Sequence, residues 1–329
     1  MKVFEHYSNV PQPADSSVIA IGSFDGLHRG HQLLFERVRK LAKEKNCLAG
    51  ALTFRPHPAK VLAPKFSPPL LMTHERKIEA LESLGLDFTL AQKFDAVFAD
   101  LSTEDFVRRV LVESLGVKVV VVGDDFSFGR NRQGLAEDLV DLGSQHGFEV
   151  EVVRRLAVEG MIVSSTRIRS FLLQGKVRGA KLLLGRTYLV PGQVVTGQGR
   201  GRTLGFPTAN LAIQTDILPA RGVYVCHFWQ AGQKEAWLAV TNIGICPTFG
   251  PSKLSVEVHI LDEKVAELAG QLVVVGFLER LRSEHRFDSP EDLCRQIEKD
   301  ATQARAAALQ YKADSNIHAL DGVRLIVSN

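Results

Sequence analysis

The sequence predicts an α/β doubly wound domain built on a parallel sheet, followed by an all-β domain with a C-terminal helix. Three observations carry this fold class. The 329 residues divide into about two domains at roughly 150 residues each. From Val18 to about Leu156, short apolar runs alternate with helical patterns, as in a parallel sheet covered by helices. Beyond Val190, turn-bounded strands follow one another without long helices between them.

In chain order, the first strand is Val18-Ile-Ala-Ile-Gly22. A helix follows in which Leu33, Leu34, Val38, Leu41 and Ala42 recur at helical spacing, while Glu36, Arg37, Arg39, Lys40 and Lys43 fall largely elsewhere. Further strands are expected at 48–54, 88–91, 117–123 and 148–153. Thr103-Glu-Asp-Phe106 offers an N-cap and early acids for a helix reaching Leu115. Ser164 to Leu184 contains two helical stretches punctuated by Gly175 and reads as a linker region. The second domain presents strands at 190–196, 222–229, 236–243, 254–261 and 272–278, which suits an antiparallel sheet or a small barrel. Ser289-Pro290-Glu-Asp292 begins a last helix running to about Leu309, with serine as cap and proline in the first turn. The expected domains are 1–184 and 185–311, with 312–329 as a tail.

At 45% hydrophobic and 23% charged residues the chain can bury two cores. Forty basic against 37 acidic residues leave a net charge of +3, which gives no general electrostatic case for nucleic acid or an anionic membrane. Local basic loops can still take phosphate. Cys47, Cys226, Cys246 and Cys294 form no C-x-x-C pair, so neither a zinc site nor a disulfide framework is expected, and the thiols read as reduced and buried. Met1 to Tyr7 lacks a signal-peptide apolar run, and Val119 to Val122 and Leu272 to Leu278 are strand-length, far below the ~20 residues of a membrane span. The expectation is a cytoplasmic protein without membrane or nucleic-acid partner; a homo-oligomer is left open.

Directly after the first strand comes Gly22-Ser-Phe-Asp-Gly-Leu-His-Arg-Gly-His31, leading into the amphipathic helix. Glycines, two histidines and a helix N-terminus thus meet at the carboxyl end of a parallel strand, where open α/β sheets bind ligands. Backbone amides and the helix dipole attract phosphate, and imidazoles donate to its oxygens. The segment lacks the lysine of a P-loop and the glycine spacing of a dinucleotide fingerprint. With ten histidines and 27 glycines, H-x-G-H arises by chance in roughly one such chain in forty, so its position between strand and helix adds most of its meaning.

The segment Gly22 to His31 resembles the first motif of the bacterial bifunctional riboflavin kinase/FMN adenylyltransferases, or FAD synthetases. Thr53-Phe-Arg-Pro-His-Pro58, Val122-Gly-Asp-Asp-Phe-Ser-Phe-Gly129 and Ser164-Ser-Thr-Arg-Ile-Arg169 follow in the family's order. The resemblance implies a nucleotidyltransferase domain that transfers AMP from ATP to FMN, with pyrophosphate leaving and no covalent intermediate. It implies that His28 and His31 contact ATP phosphates and stabilise the transition state. Gly22, Ser23, Phe24 and Asp25 would form the loop around ATP, and Ser165, Thr166 and Arg169 would hold its phosphates from the opposite side. His57 and Asp125 would face the flavin. Two positions depart from the pattern: Arg55 stands where a glutamate is expected, and Asp125 where some relatives carry asparagine.

The densest motif is Gly197-Gln-Gly-Arg-Gly-Arg-Thr-Leu-Gly-Phe-Pro-Thr-Ala-Asn210. A glycine-rich loop with two arginines can wrap phosphate. Thr208 and Asn210, two residues apart, lie on one face of an extended segment and offer oxygens to a hard cation such as Mg2+. The segment resembles the riboflavin kinase motif, as do Gly222-Val-Tyr224, 242–249, 256–260 and 277–287. The resemblance implies a six-stranded barrel with a terminal helix, Gly199 and Arg202 on ATP, Thr208 and Asn210 on Mg2+, and Arg282 and Phe287 on flavin. Glu257 would be the base that takes the proton of riboflavin's 5'-hydroxyl. Its place between Val256 and Val258 reads as an inward-facing carboxylate. The implied function converts riboflavin to FMN and FMN to FAD, with ATP as co-substrate. A kinase with a weak transferase is the second reading. A sensor without turnover is the competing class, and it would need neither the histidine pair nor Glu257.

Overall fold

In the N-terminal part of the computed structural model, alternate residues of each central strand face opposite helical layers. The structure describes residues 1–11, 16–197, 201, 204–230, 233, 235–245, 254–262 and 268–312. Strands β1 (Lys2–Phe4), β2 (Ser17–Ile21), β3 (Leu48–Arg55), β4 (Phe88–Lys93), β5 (Val117–Gly123) and β6 (Glu149–Val153) form a six-stranded sheet in the order β1-β4-β3-β2-β5-β6. Every pair is parallel. Val18 and Ala20 pack with Leu34, Phe35, Val38 and Ala42 of helix α1 (Arg29–Lys45). Ile19 and Ile21 pack on the other face with Val107, Val110 and Leu111 of the helical stretch 103–114 and Leu139 of α3 (Ala136–His146). A sheet covered on both faces explains why its strands read as continuous apolar runs.

The expected strands are all present, and the structure adds the edge strand β1, whose three residues are too short to show a period. The helix expected from Thr103 is capped one residue earlier, where the Ser102 hydroxyl accepts from the Asp105 amide at 3.0 Å. Its last turn is wider than an α-turn, since the Leu115 amide reaches back to the Val110 carbonyl at 3.1 Å. Helix α2 (His74–Ser83) precedes β4 and carries Lys77 and Leu81 on its buried stripe.

The chain divides into two compact units between Ser165 and Thr166, earlier than the join expected after residue 184. The reason lies in α4 (Ser165–Leu173) and α5 (Val177–Leu184), which are not a linker. They bury Ile168, Leu172, Val177, Ala180, Leu183 and Leu184. The Leu172 carbonyl accepts from the Ala220 amide at 2.9 Å, and Gly175 abuts Arg280 and the Tyr224 hydroxyl, so both helices belong with the second unit.

That unit is a closed barrel of β7 (Tyr188–Val195), β8 (Ala209–Ile213), β9 (Gly222–Gln230), β10 (Trp237–Ile245), β11 (Leu254–Ile260) and β12 (Leu272–Arg282). The strand order is β7-β8-β11-β10-β9-β12, closed between β12 and β7. The sequence pattern passes over β8, whose five residues alternate weakly. Tyr224, Thr241 and Val258 lie side by side across β9, β10 and β11, all at 1% exposure or less, and mark the inner face. Val223, Val225 and Val240 face outward against Ala301, Ala304 and Tyr311 of α6 (Pro290–Lys312). Ser289 caps α6, its hydroxyl accepting from the Asp292 amide at 3.1 Å. The tail from residue 313 lies outside the described residues, as does Cys246. Cys226 is buried as expected, whereas Cys47 and Cys294 are only half-buried.

Candidate active sites

The strand order reverses beside β2: β3 and β4 lie to one side of it and β5 and β6 to the other. Such a switch point opens a crevice at the carboxyl ends of the strands. The loop after β2 therefore leaves the sheet next to Gly123 and Asp125 at the end of β5. Within that loop Phe24, Gly26 and Leu27 have φ of 49°, 79° and 38°. Positive φ at two large residues is a costly backbone that its surroundings must hold in place. The Phe24 ring, 1% exposed, folds back so closely over Gly22 that a Cβ there would meet it at 2.9 Å.

His28 caps α1, and its Nδ1 accepts from the His31 amide at 3.4 Å. In a neutral ring the proton then sits on Nε2, which makes that atom a donor. The His28 and His31 rings stack with centroids 3.6 Å apart and planes 17° apart, and the His31 ring meets the edge of Phe24 at 5.3 Å. The structure thus brings the histidine pair together over the first turn of a 17-residue helix, whose dipole favours an anion there.

Asp25, 5% exposed, accepts from the Leu71 amide at 2.9 and 3.2 Å, so its carboxylate ties the chain at Leu71 to this loop. Its backbone carbonyl accepts from the Ser165 hydroxyl at 2.8 Å, which brings Ser165 to the loop. Thr166 and Arg169 follow on α4. His57 caps a short helix at Pro58–Leu62, with Nδ1 accepting from the Ala59 amide at 3.2 Å. Arg55 reaches Glu5 at 3.9 Å and Glu75 at 3.6 Å, a pair of exposed contacts of little energetic weight. Asp125 is exposed, while its neighbour Asp124 pairs with Arg155 at 3.0 Å.

Sequence reasoning misses Lys77, which lies beneath this loop at 8% exposure. Its ammonium donates to the Ser23 carbonyl at 3.1 Å, the Thr53 hydroxyl at 3.0 Å and the Phe54 carbonyl at 3.4 Å. Burial pulls it down to about 8, with Asp25 opposing the fall. The available signal was a lysine on an apolar stripe, since Leu81 and Leu84 follow at i+4 and i+7.

In the barrel, register sets the second site. Asn210 pairs with Glu257, and Glu257 with Asn242, so three polar side chains lie in a row on one face of β8, β11 and β10. That face is the outer one. Val256 and Val258 point inward, at 2% and 1% exposure, and alternation sends the half-buried Glu257 the other way. The inward-facing carboxylate expected from the sequence is corrected: a charged group in a barrel filled by Tyr224, Phe228 and Phe277 would lack any means of solvation.

A Cβ on Gly197 would run into the Asn210 amide, and one on Gly201 would meet the Thr208 hydroxyl at 3.1 Å. Gly197 and Gly201 therefore lie where only a residue without a side chain fits against these two side chains. Pro207 is tied to β11, its carbonyl 2.9 Å from His259 Nδ1, and the His259 ring meets Phe206 edge-on at 5.7 Å. His259 and Asn242 are site neighbours that the sequence offered only as letters within motifs. Gly199 and Arg202 lie outside the described residues. Arg282 and Phe287 are brought together, the guanidinium 5.7 Å from the ring centre. The same guanidinium makes paired bonds to Asp300 of α6 at 2.8 and 3.1 Å, with Asp300 only 2% exposed.

One unit thus offers a helix N-terminus with paired imidazoles, and the other the Asn210 and Asn242 side chains beside a carboxylate. Together they place the chain in the class of enzymes that transfer phosphorus groups from nucleotides. A family model described as FAD synthetase matches residues 10–167, and one described as riboflavin kinase matches residues 184–308. The bifunctional riboflavin kinase/FMN adenylyltransferase of Escherichia coli (strain K12) is 35% identical over 306 residues, covering 93% of this chain and 97% of that protein. Its Haemophilus influenzae counterpart is 35% identical over 306 residues, with 93% and 99% covered. That of Pseudomonas fluorescens is 38% identical over 292 residues, with 88% and 93% covered. The chain belongs to the bifunctional riboflavin kinase/FMN adenylyltransferase family.

Among solved structures, a protein described as a macrolide-efflux protein from Streptococcus pneumoniae matches with a TM-score of 0.84 and 31% identity over 92% of this chain and 98% of that one. That description stays with that protein. Among the described residues here, no helix is long and apolar enough to cross a membrane.

Proposed function

We propose that this chain makes FMN from riboflavin and then FAD from FMN, using one ATP at each step. The observation that carries the reading is the pairing, on one chain, of the stacked His28–His31 imidazoles with the Asn210–Glu257–Asn242 row. In the barrel, Glu257 accepts the proton of the ribityl 5'-hydroxyl as that oxygen bonds to the γ-phosphorus of ATP. The bond from the γ-phosphorus to the β,γ-bridging oxygen breaks, and ADP leaves.

Thr208 and Asn210 fit Mg2+, because both offer side-chain oxygens and the backbone at Gly197 and Gly201 lies close against them, as only glycine allows. Thr208 and Asn210 would hold the ion together with the phosphates of the bound nucleotide. Bound there, the ion supplies neutralisation of phosphate charge. Gly199 and Arg202 serve the phosphates of the same ATP.

In the first unit an oxygen of the FMN phosphate attacks the α-phosphorus of ATP, and pyrophosphate leaves. FMN is already a nucleophile, so this site needs charge stabilisation rather than a base. His28 donates from Nε2 and His31 lies beside it. Gly22 to Asp25 shape the loop around the nucleotide, and Ser165, bonded to the Asp25 carbonyl, faces its phosphates. His57 and Asp125 face the flavin here, and Phe287, steadied by Arg282, faces it in the barrel. Both reactions are cytoplasmic, on small-molecule substrates.

The test is a time course with riboflavin, ATP and Mg2+, followed by chromatography. FMN should rise first and then fall as FAD appears, and both should vanish without the cation. FMN accumulating without FAD would instead support a kinase whose transferase is weakened, with Arg55 and Asp125 as the departures to revert.

A further inference from the structure

Lys77 sits where the loop that carries the histidine pair joins the sheet, and the reaction as proposed gives it no role. An ammonium has three N–H donors. Here all three find acceptors: the Ser23 carbonyl, the Thr53 hydroxyl and the Phe54 carbonyl, at 3.1, 3.0 and 3.4 Å. A neutral amine has only two donors, so loss of the proton withdraws Lys77 from one of these three oxygens in a site 8% exposed.

The loop needs such a tie, because Phe24, Gly26 and Leu27 all hold positive φ immediately before His28. Its first anchor is the Gly22 amide on the Leu52 carbonyl at 3.0 Å. The second is the Ser23 carbonyl, which accepts from both Lys77 and the Thr53 hydroxyl. Five residues beyond Ser23, the chain reaches the cap of α1 at His28.

We propose that Lys77 is a positioning residue for adenylyl transfer: as an ammonium it locks the Ser23 carbonyl to the end of β3, holding His28 and His31 over the helix N-terminus, and losing its proton releases them. The proposal rests on the first unit being the adenylyltransferase. The titratable groups coupled to Lys77 are Asp25 from the loop and His74 on its own helix, and His74 in turn feels Arg55 at the end of β3 and Glu75 beside it. Asp25 favours the ammonium and burial opposes it, which brings deprotonation to about 8.

The experiment compares the full-length wild type with Lys77→Arg and Lys77→Met, measuring FAD formation from supplied FMN and ATP across the neutral to alkaline range. Amide exchange of residues 22–28, corrected for intrinsic rates, is followed on the same samples. For the wild type, the rate should fall about tenfold per pH unit above a midpoint near 8, with loop protection falling alongside it. Lys77→Met should be at least about tenfold slower at neutral pH, with a poorly protected loop and no limb near 8. Lys77→Arg should keep both rate and protection and lose the limb, since guanidinium does not titrate there.

A limb near 8 that survives in Lys77→Arg, or a wild-type rate in Lys77→Met, would overturn the proposal. If Lys77→Met loses protection throughout β2 and β3, the arginine variant alone decides. Absence of FAD from the wild type at every pH, with loop protection still following Lys77, would refute the assigned reaction and with it a role in adenylyl transfer, leaving only the tie between Lys77 and the loop.

Discussion

At the scale of single residues, alternation along a strand says that Glu257 and its valine neighbours face opposite ways, but not which way is in. The register answers it: Val258 lies beside Thr241 and Tyr224 in the core, so Glu257 lies outside with Asn210 and Asn242. Glu257→Gln should lower FMN formation by roughly 10²–10⁴-fold, the usual weight of a general base, and leave conversion of supplied FMN to FAD unchanged. Equal loss of both half-reactions would refute the base assignment. His31→Ala removes one donor at the other site and should slow FAD formation by about 10²–10³-fold while FMN formation continues. Saturating-substrate turnover of each half-reaction checks both variants. Lys77 shows the opposite limit, since a single lysine among charged helix residues gains meaning only when β2, β3 and α2 converge on it.

Among the elements, the ones legible in the sequence are those with a long period or a clear cap. Helix α1 shows an apolar stripe over 17 residues, and α6 announces itself through Ser289 and Pro290. The strands β1 and β8, of three and five residues, leave too little pattern to find, and the pairing partners alone make them strands. Arg282 illustrates how an element can claim a residue that motif order assigns to a ligand. Asp300 comes from α6, 18 positions away, and holds the Arg282 guanidinium in a nearly buried pair. Asp300→Asn would leave that cation uncompensated, and the cost should be about 3–5 kcal/mol, read as a lower urea midpoint for the barrel. A change in flavin affinity without a change in midpoint would show instead that Arg282 acts on the ligand directly.

For the molecule as a whole, stability and activity should respond to pH in opposite directions. A folded-state lysine held at about 8 against the ordinary 10.5 binds its proton less tightly than the unfolded chain does. Between those values the unfolded state carries more protons, so this group's contribution to stability rises with pH. The difference of about 2.5 units corresponds to roughly 3 kcal/mol at 1.36 kcal/mol per unit. That gain should be visible between pH 8 and 10.5 in urea unfolding of the wild type and missing from Lys77→Met, while transferase activity falls over the same range. In the barrel, burial pulls His227 below 6.5. The unfolded chain takes up that proton first on acidification, so stability is lost as pH drops below about 6.5, and His227→Gln should flatten the slope. The amino-acid order by itself determined the two-domain class, the central strands, the long helices and the phosphate-directed motifs, because each is written in local spacing that needs no partner. Only the tertiary structure decided that α4 and α5 belong with the barrel, that Glu257 faces outward, that Arg282 is bound to Asp300 and that Lys77 supports the histidine loop. Those are relations between segments tens of residues apart, fixed by register and burial rather than by any pattern along the chain.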